Sequence, residues 1–214
     1  MKRILFFISI AVLMTACGGK DKINFKESDL VGTWTHVKSV NAFGAVSENL
    51  AATEVLKENH ECVTYYSMTS DAGTWELNGR ELNIGGAKST ISKLDGTHLV
   101  TTFLDDKGTY TDTYIKIEPL LTGTWTVSWT LGDIMYVTFN PDGTAVWTYA
   151  KTGHSLGTFN WNVGVDEYYS RPAINYSGPG SGMDTILAAT DDELRVIDNN
   201  GKSGIYARGR LAVQ

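Results

Sequence analysis

The feature that most constrains the fold is an internal repeat, in which the second half of the chain restates the first. Residues 30–35 recur almost unchanged as residues 121–126, with Gly-Thr-Trp in both copies. Further segments match in the same order: 56–63 with 139–146, 73–75 with 157–159, 95–99 with 190–194 and 112–116 with 204–208. Self-similarity in this order predicts two copies of one supersecondary plan, with the boundary near residues 118–120 and Pro119 ending a strand.

Each copy has the pattern of short antiparallel strands. Asn78-Gly79 separates two alternating runs, which is a strong hairpin signal. Residues 109–117 place Thr and Ile on one face and Tyr, Asp and Lys on the other. About eight strands fit in each copy, and a meander of that size closes into a barrel that has no free edges. We therefore predict an all-β protein with modules at 24–118 and 120–214, as barrels or, alternatively, as β-sandwiches.

The Gly-x-Trp triplets resemble the signature that opens the first strand of lipocalins. Gly32 and Trp34 form the first triplet, and Gly123 and Trp125 form the second. The spacing of the later motifs is similar to that of Bacteroidetes lipoproteins with lipocalin-like domains. This resemblance implies that each Trp closes one end of a barrel and packs against a basic residue of the last strand. The matching pairs are Trp34 with Lys116 and Trp125 with Arg208.

The first residues are typical of an export signal. Lys2 and Arg3 precede an apolar run that is too short to span a bilayer, and small residues follow it. Residues 14–17 resemble the lipobox of bacterial lipoproteins, although Met14 stands where that family usually has leucine. The resemblance implies a signal peptide at 1–16, a lipid on Cys17 and a tether at 17–23. Position 18 is not Asp, which by the same resemblance favours the outer membrane and leaves its periplasmic and surface faces both open.

The charge of the chain argues against one class of partner. The net charge is −6, and loss of Lys2 and Arg3 with the signal would make it more acidic. An acidic protein gains nothing from counterion release on nucleic acid, so we expect no DNA or RNA partner. Cys62 would then be the one cysteine without a lipid, and its alternating apolar surroundings predict a small buried side chain.

The sequence contains no recognisable constellation for catalysis. His36, His60, His98 and His154 are scattered, without the spacing of a metal site. No Gly-x-Ser-x-Gly elbow and no phosphate-binding loop is present. We therefore expect no enzymatic activity, no catalytic residues, no metal and no cofactor.

Aromatic residues crowd the second copy. Core packing explains most such clusters, and an aromatic-lined pocket or sugar platform is the functional alternative. The candidate ligand-binding residues are Trp147, Tyr149, Trp161, Tyr168, Tyr169 and Arg171. The sequence thus predicts a membrane-anchored binding or accessory lipoprotein whose ligand it does not identify, with a small hydrophobic molecule and a glycan both left open. The alternatives are a carbohydrate-binding lipoprotein for glycan uptake and a module that binds or inhibits another protein.

Overall fold

The computed structural model describes residues 25–48, 52–130, 132 and 134–210, which form two closed antiparallel β-barrels in tandem. The predicted fold class, all-β with two eight-stranded barrels, is confirmed. The predicted signal peptide, the tether and Cys17 lie outside the described residues. Within the described ranges, no helix combines the length and apolar character needed to cross a membrane.

The first barrel follows a short helix and closes where its first strand pairs with its last. Strand β2 is an addition to the eight barrel strands, since it extends the sheet beside the far half of β1. The elements are α1 (Glu27–Leu30), β1 (Gly32–Val40), β2 (Val46–Glu48), β3 (Ala52–Leu56), β4 (Glu61–Tyr66), β5 (Thr69–Asn78), β6 (Glu81–Ile84), β7 (Ala87–Leu94), β8 (His98–Asp105) and β9 (Gly108–Lys116).

The second barrel repeats this plan after a second short helix, and its strands close into a ring from β10 to β17. The elements are α2 (Ile117–Leu121), β10 (Gly123–Trp129), β11 (Met135–Phe139), β12 (Thr144–Tyr149), β13 (Ser155–Asp166), β14 (Arg171–Ser177), β15 (Gly182–Ala189), β16 (Glu193–Asp198) and β17 (Ser203–Arg208).

The turn between the second and third barrel strands preserves the repeat in detail. His60 N–H donates to the Lys57 carbonyl in the first barrel, and Gly143 N–H donates to the Asn140 carbonyl in the second. His60 adopts φ +64°, a region that L-residues rarely occupy, where the second barrel has glycine at φ +81°. The His60 ring stacks on Trp75, with ring centroids 4.8 Å apart. This contact offsets part of the energetic cost of that backbone conformation. The matching hydrogen bonds of the two turns confirm the gap-free alignment of this segment.

The alignment of the next segment was wrong by two residues. Trp75, not Gly73, has its backbone N–H bonded to the turn residue His60, and the residue with this bond in the second barrel is Trp161. The two indoles also donate alike, to the carbonyls of Lys57 and Asn140. Segment 73–75 therefore corresponds to 159–161. The sequence alignment fails here because Gly157-Thr158-Phe159 resembles Gly73-Thr74-Trp75 more closely than residues 159–161 do.

A helical turn and a tryptophan plug one end of each barrel. The Trp34 indole N–H donates to the Leu30 carbonyl at 2.6 Å, and the Trp125 indole donates to Leu121 at 2.7 Å. Both indoles are fully buried. Because β9 already ends at Lys116, Pro119 lies within helix α2 and does not end a strand as predicted. Ile117, Leu120 and Leu121 of this helix belong to the core of the second barrel.

The basic residue expected beside each plug is present, but the two contacts differ. Arg208 lies over the Trp125 ring at 3.9 Å, and its guanidinium donates to the Leu120 and Thr122 carbonyls. Lys116 lies 5.4 Å from the Trp34 ring and donates to one carbonyl, that of Asp29.

The motif glycines make room for these basic side chains. Gly32 has φ +137°, and a Cβ there would lie 2.5 Å from the Cε of Lys116. Gly123 has φ +116°, and a Cβ there would lie 3.5 Å from a guanidinium nitrogen of Arg208. Backbone conformation is thus the main requirement for glycine at both positions, since the flexible end of Lys116 could shift away from a Cβ at Gly32.

The second barrel braces the outside of the first through a long hairpin. Strands β13 and β14 pair over seven residues, whereas their counterparts β5 and β6 pair over four. Ser170, at the tip of the long hairpin, accepts a bond from the Thr53 hydroxyl at 3.0 Å and from Met68 N–H at 2.9 Å. The Glu118 carboxylate accepts from Thr33 N–H at 2.9 Å. These bonds and the buried outward-facing Ile115 hold the two barrels together.

Candidate functional site

The interior of the first barrel contains a cavity of about 270 Å³. A smaller extension of about 30 Å³ continues from it toward Trp34 and Leu56 at the plugged end. The wider part therefore lies on the side away from helix α1. The residues that line it are Glu54, Thr64, Ile84, Ala87, Lys88, Ser89, Thr101, Phe103, Asp112 and Tyr114. Ligand sites in proteins are usually concave and combine an apolar wall with a few polar groups, as here.

The polar groups of this cavity lie close together on neighbouring strands. The Thr64 hydroxyl donates to the Glu54 carboxylate at 2.6 Å. Burial raises the pKa of Glu54, and the Thr64 bond and the nearby His36 oppose that rise. His36 Nε2 lies 3.3 Å from an Asp112 carboxylate oxygen, and the His36 ring meets the Tyr114 ring edge-on at 5.0 Å. Burial, followed by the charges of Asp112 and Glu54, raises the pKa of Tyr114.

Two substitutions between the repeats account for most of this space. Thr64 pairs with Glu54 across the sheet, and Trp147 occupies the same place in the second barrel. Ile84 pairs with Trp75, and Tyr176 takes its place beside Trp161. Trp147 and Tyr176 pack edge-to-face, with ring centroids 5.6 Å apart. Threonine and isoleucine at these positions leave open the volume that two aromatic rings fill in the second barrel.

Further substitutions make the first interior polar. Glu54 stands where the second barrel has Val137, and Thr101 stands where it has Val196. Asp112 corresponds to Gly204, whose missing side chain is replaced by the Trp129 ring: a Cβ there would lie 2.6 Å from that ring. The first barrel thus has carboxylates at positions where the second has an apolar side chain or none.

The second barrel is filled, and it satisfies its one central carboxyl internally. Asp184 is 5% exposed and accepts hydrogen bonds from Tyr176 and Tyr206, whose hydroxyls also lie 2.8 Å from each other. Burial raises the pKa of Asp184 to about 6. When Asp184 is ionised, both phenols donate to it and no proton is left for the contact between the two hydroxyls. Protonation of Asp184 supplies a third proton, so that Asp184 donates to one phenol, that phenol donates to the other, and the other donates to Asp184, which agrees with the direction of the pKa shift.

The mouth of the first barrel is surrounded by exposed apolar side chains. Among the described residues of this barrel, the large exposed apolar or aromatic ones are Phe43, Val46, Tyr66, Met68 and Leu104. Phe43 is 88% exposed and Leu104 77% exposed. Their hairpins adjoin, since a Cβ on Gly108 would lie 2.6 Å from the Cβ of Ala42. Apolar surface gathered around a cavity commonly marks a binding site.

A second depression, of about 320 Å³, adjoins the cavity between the β4–β5 hairpin and the turn after β6. It shares Thr64 and Ile84 with the cavity, and Tyr66 bonds to Asp71 across it at 2.6 Å. Cys62 also borders it and is 2% exposed, as the sequence predicts for a buried thiol. Burial raises the pKa of Cys62, which makes this thiol a poor nucleophile.

The structure does not bring the six predicted ligand-binding residues together. Trp147 is buried in the second core, and Trp161 packs against that core. Tyr149 ends strand β12, and Arg171 begins strand β14 with its side chain half-buried. Tyr168 and Tyr169 are exposed on the β13–β14 turn, directly before Ser170. Of the six, Tyr169 and Arg171 directly flank Ser170, which contacts the rim of the first barrel.

The sequence interpretation missed the cavity residues Glu54, Thr64 and Asp112. Asp112 and Tyr114 were assigned to one strand face, and the structure turns that face inward. A signal was available in the repeat, because these polar residues align with Val137, Trp147 and Gly204. Polar residues at inward positions where the other copy has an apolar residue or glycine indicate that the two barrel interiors differ in polarity.

The described part of the chain contains no cluster of three or more His, Cys, Asp or Glu side chains that could hold a metal ion. A groove of about 470 Å³ lies on the second barrel beside Trp129, lined by outward residues such as Arg195 and Ile205. The His36–Asp112 pair is the closest approach to a catalytic dyad, and the described cavity hydroxyls make no hydrogen bond to His36, whose Nδ1 has no partner.

Comparisons with known proteins assign neither a family nor a function to the chain. No family model and no curated protein matches the chain. Among solved structures, the chain is similar to a protein of unknown function from the DUF3598 family of Nostoc punctiforme. The identity is 10% and the TM-score 0.26, over 86% of this chain and 97% of that one.

Proposed function

We propose that this chain is an exported, lipid-anchored binding protein whose ligand site is the cavity of the first barrel. The main support is the contrast between the two barrels. The interior of the second is filled with aromatic rings, whereas that of the first is open and polar. An empty interior sacrifices packing energy, of about 24 cal/mol per Å³ of cavity in a well-packed core. Such a cost is expected where the space serves a ligand. The second barrel acts as a scaffold that braces the first through the β13–β14 hairpin.

The proposed anchor rests on the residues before the barrels. The charged start, the short apolar run and the small residues before Cys17 support export and lipidation at the outer membrane. Two or three acyl chains would hold the protein stably, because each buried methylene contributes about 0.8 kcal/mol. Cys17→Ser should move the protein from the membrane fraction to the soluble fraction. Unchanged partitioning of this variant would contradict the anchor.

Binding in the cavity is tested with 1-aminoanthracene, a fluorescent probe that combines an apolar ring system with one amino group. The test uses residues 17–214 with Cys17→Ser, so that the protein stays soluble. We expect saturable fluorescence enhancement at one site. Thr64→Trp installs the residue of the second barrel and should abolish the enhancement, and Ile84→Tyr should weaken it. Thr64→Ser, which keeps both the space and the hydroxyl, is the matched control. Equal enhancement by all variants that remain folded would contradict the proposed site.

A further inference from the structure

We infer that the ligand of the first-barrel cavity is a small amphipathic amine, bound with its amino group toward Glu54 and Asp112 and its apolar part toward the mouth. This inference rests on the proposed function and names the chemical class of the ligand. It depends on three properties of the cavity, namely its hydrogen-bond acceptors, its aromatic wall and its apolar rim.

The cavity has more acceptors than donors. Glu54 receives a bond from Thr64 on one carboxylate oxygen, and Asp112 faces His36 through one oxygen. The lysine of the lining, Lys88, is paired with the outward carboxylate of Glu81 at 3.0 Å. Neither cavity carboxylate therefore has a lysine or arginine partner among the described residues. A ligand that donates several hydrogen bonds and carries a positive charge would provide the donors and the cationic partner that these two carboxylates lack.

The second barrel illustrates how such a carboxyl is satisfied when no ligand is needed. There, Tyr206 and Tyr176 both donate to Asp184. The first barrel keeps Tyr114 in place of Tyr206 but has Ile84 in place of Tyr176 and moves its acidic groups to other strands. No described residue hydrogen-bonds the Tyr114 hydroxyl, which borders the cavity. The hydroxyl of Tyr114 is thus available to a ligand in the first barrel, whereas that of Tyr206 is already hydrogen-bonded within the second.

The remaining walls suit the apolar part of the same molecule. Phe103 lines the cavity and stacks on Tyr110, with centroids 5.0 Å apart. An ammonium group near aromatic faces gains cation–π attraction in addition to its ion pair. Phe43 and Leu104 at the rim extend the apolar surface outward. The volume of about 270 Å³ lies below that of most sites for drug-sized ligands, which points to a small, compact compound.

The inference is tested by displacement of 1-aminoanthracene from residues 17–214 carrying Cys17→Ser. Three competitors share a phenyl ring and differ at the polar end: 2-phenylethylamine, 2-phenylethanol and 3-phenylpropanoate. We expect the amine to displace the probe at a concentration at least about tenfold lower than the alcohol. The carboxylate should compete least, because it would face Glu54 and Asp112 with like charge.

Variants then assign the preference to the carboxylates. Glu54→Gln and Asp112→Asn should each weaken the amine about tenfold while leaving the alcohol within about twofold. Glu76→Gln, on the outer face of the same barrel, should change neither and is the matched control. Equal competition by amine and alcohol, or stronger competition by the carboxylate, would overturn the amine assignment while the binding function stands. Failure of 1-aminoanthracene to bind at all would instead overturn the proposed function and this inference with it.

Discussion

The two barrels share strand number, closing pair, plug helix and turn geometry, yet they differ in what fills them. The second buries Trp147, Tyr176 and Tyr206 around one carboxyl. The first places Thr64 and Ile84 where two of those rings would stand, and it opens into a cavity. The shared features indicate that the tryptophan plug, the turns and the strand register maintain the barrel backbone in both copies. The inward side chains between these fixed points can then be changed without loss of the fold.

The largest expected effect is on the filled barrel. Trp147→Thr gives the second barrel the residue that the first has at this position. We expect a loss of about 3–5 kcal/mol in the free energy of unfolding, because a large buried indole is removed and its neighbours cannot close the gap. Urea denaturation followed by circular dichroism measures this. A loss below about 1 kcal/mol would mean that the second barrel is not tightly packed.

The buried carboxyl of the filled barrel should make its stability depend on pH. Asp184 has its pKa raised from 3.8 to about 6, so the folded state binds a proton that the unfolded state has already lost in this range. Its contribution is fully present below pH 3.8 and is lost as the pH rises through about 6. Between pH 4.5 and 7.5 this loss amounts to about 2 kcal/mol.

Asp184→Asn removes this titration and provides the control. The difference in unfolding free energy between wild type and variant should change by about 2 kcal/mol over the same pH interval, in favour of the variant at high pH. Urea unfolding at both pH values gives this difference. A difference independent of pH would show that Asp184 titrates normally and that the three-oxygen network is not protonated.

The plugs should differ in strength by a smaller amount. Arg208 stacks on Trp125 and bonds to carbonyls at the end of helix α2, whereas Lys116 is farther from Trp34 and bonds to one carbonyl. Arg208→Gln should therefore cost about 2 kcal/mol, and Lys116→Gln below about 1 kcal/mol. Equal costs in thermal or urea unfolding would remove this distinction between the barrels.

The repeat and the Gly-x-Trp motifs carried enough information for the fold and for the plug pairs. Trp34 and Trp125 recur in register, and a strand pattern of this kind has few ways to bury its apolar face. The cavity could not be read in the same way. It depends on which side chains meet across a closed barrel, and the two-residue error at 73–75 separated Trp75 from its true counterpart Trp161.

Aromatic richness favours a pocket in the second copy, whereas the interior cavity described above lies in the first. The sequence predicts Trp147 and Trp161 as pocket-lining residues, but the rings of the second copy pack against one another. A high aromatic content fills the interior of a small barrel. The signal of an open interior was the opposite one, namely small and polar residues such as Thr64 and Asp112 at inward positions of the first copy.

The first barrel is proposed to hold a ligand, whereas the second is filled by its own side chains. The most direct test is a crystal structure of residues 17–214, with Cys17→Ser, in complex with 1-aminoanthracene. We expect the probe inside the first barrel, with its amino group toward Glu54 and its rings between Phe103 and Tyr114, and an unchanged, filled second barrel. Probe density within the second barrel or in the groove beside Trp129, with the first cavity empty, would contradict the claim.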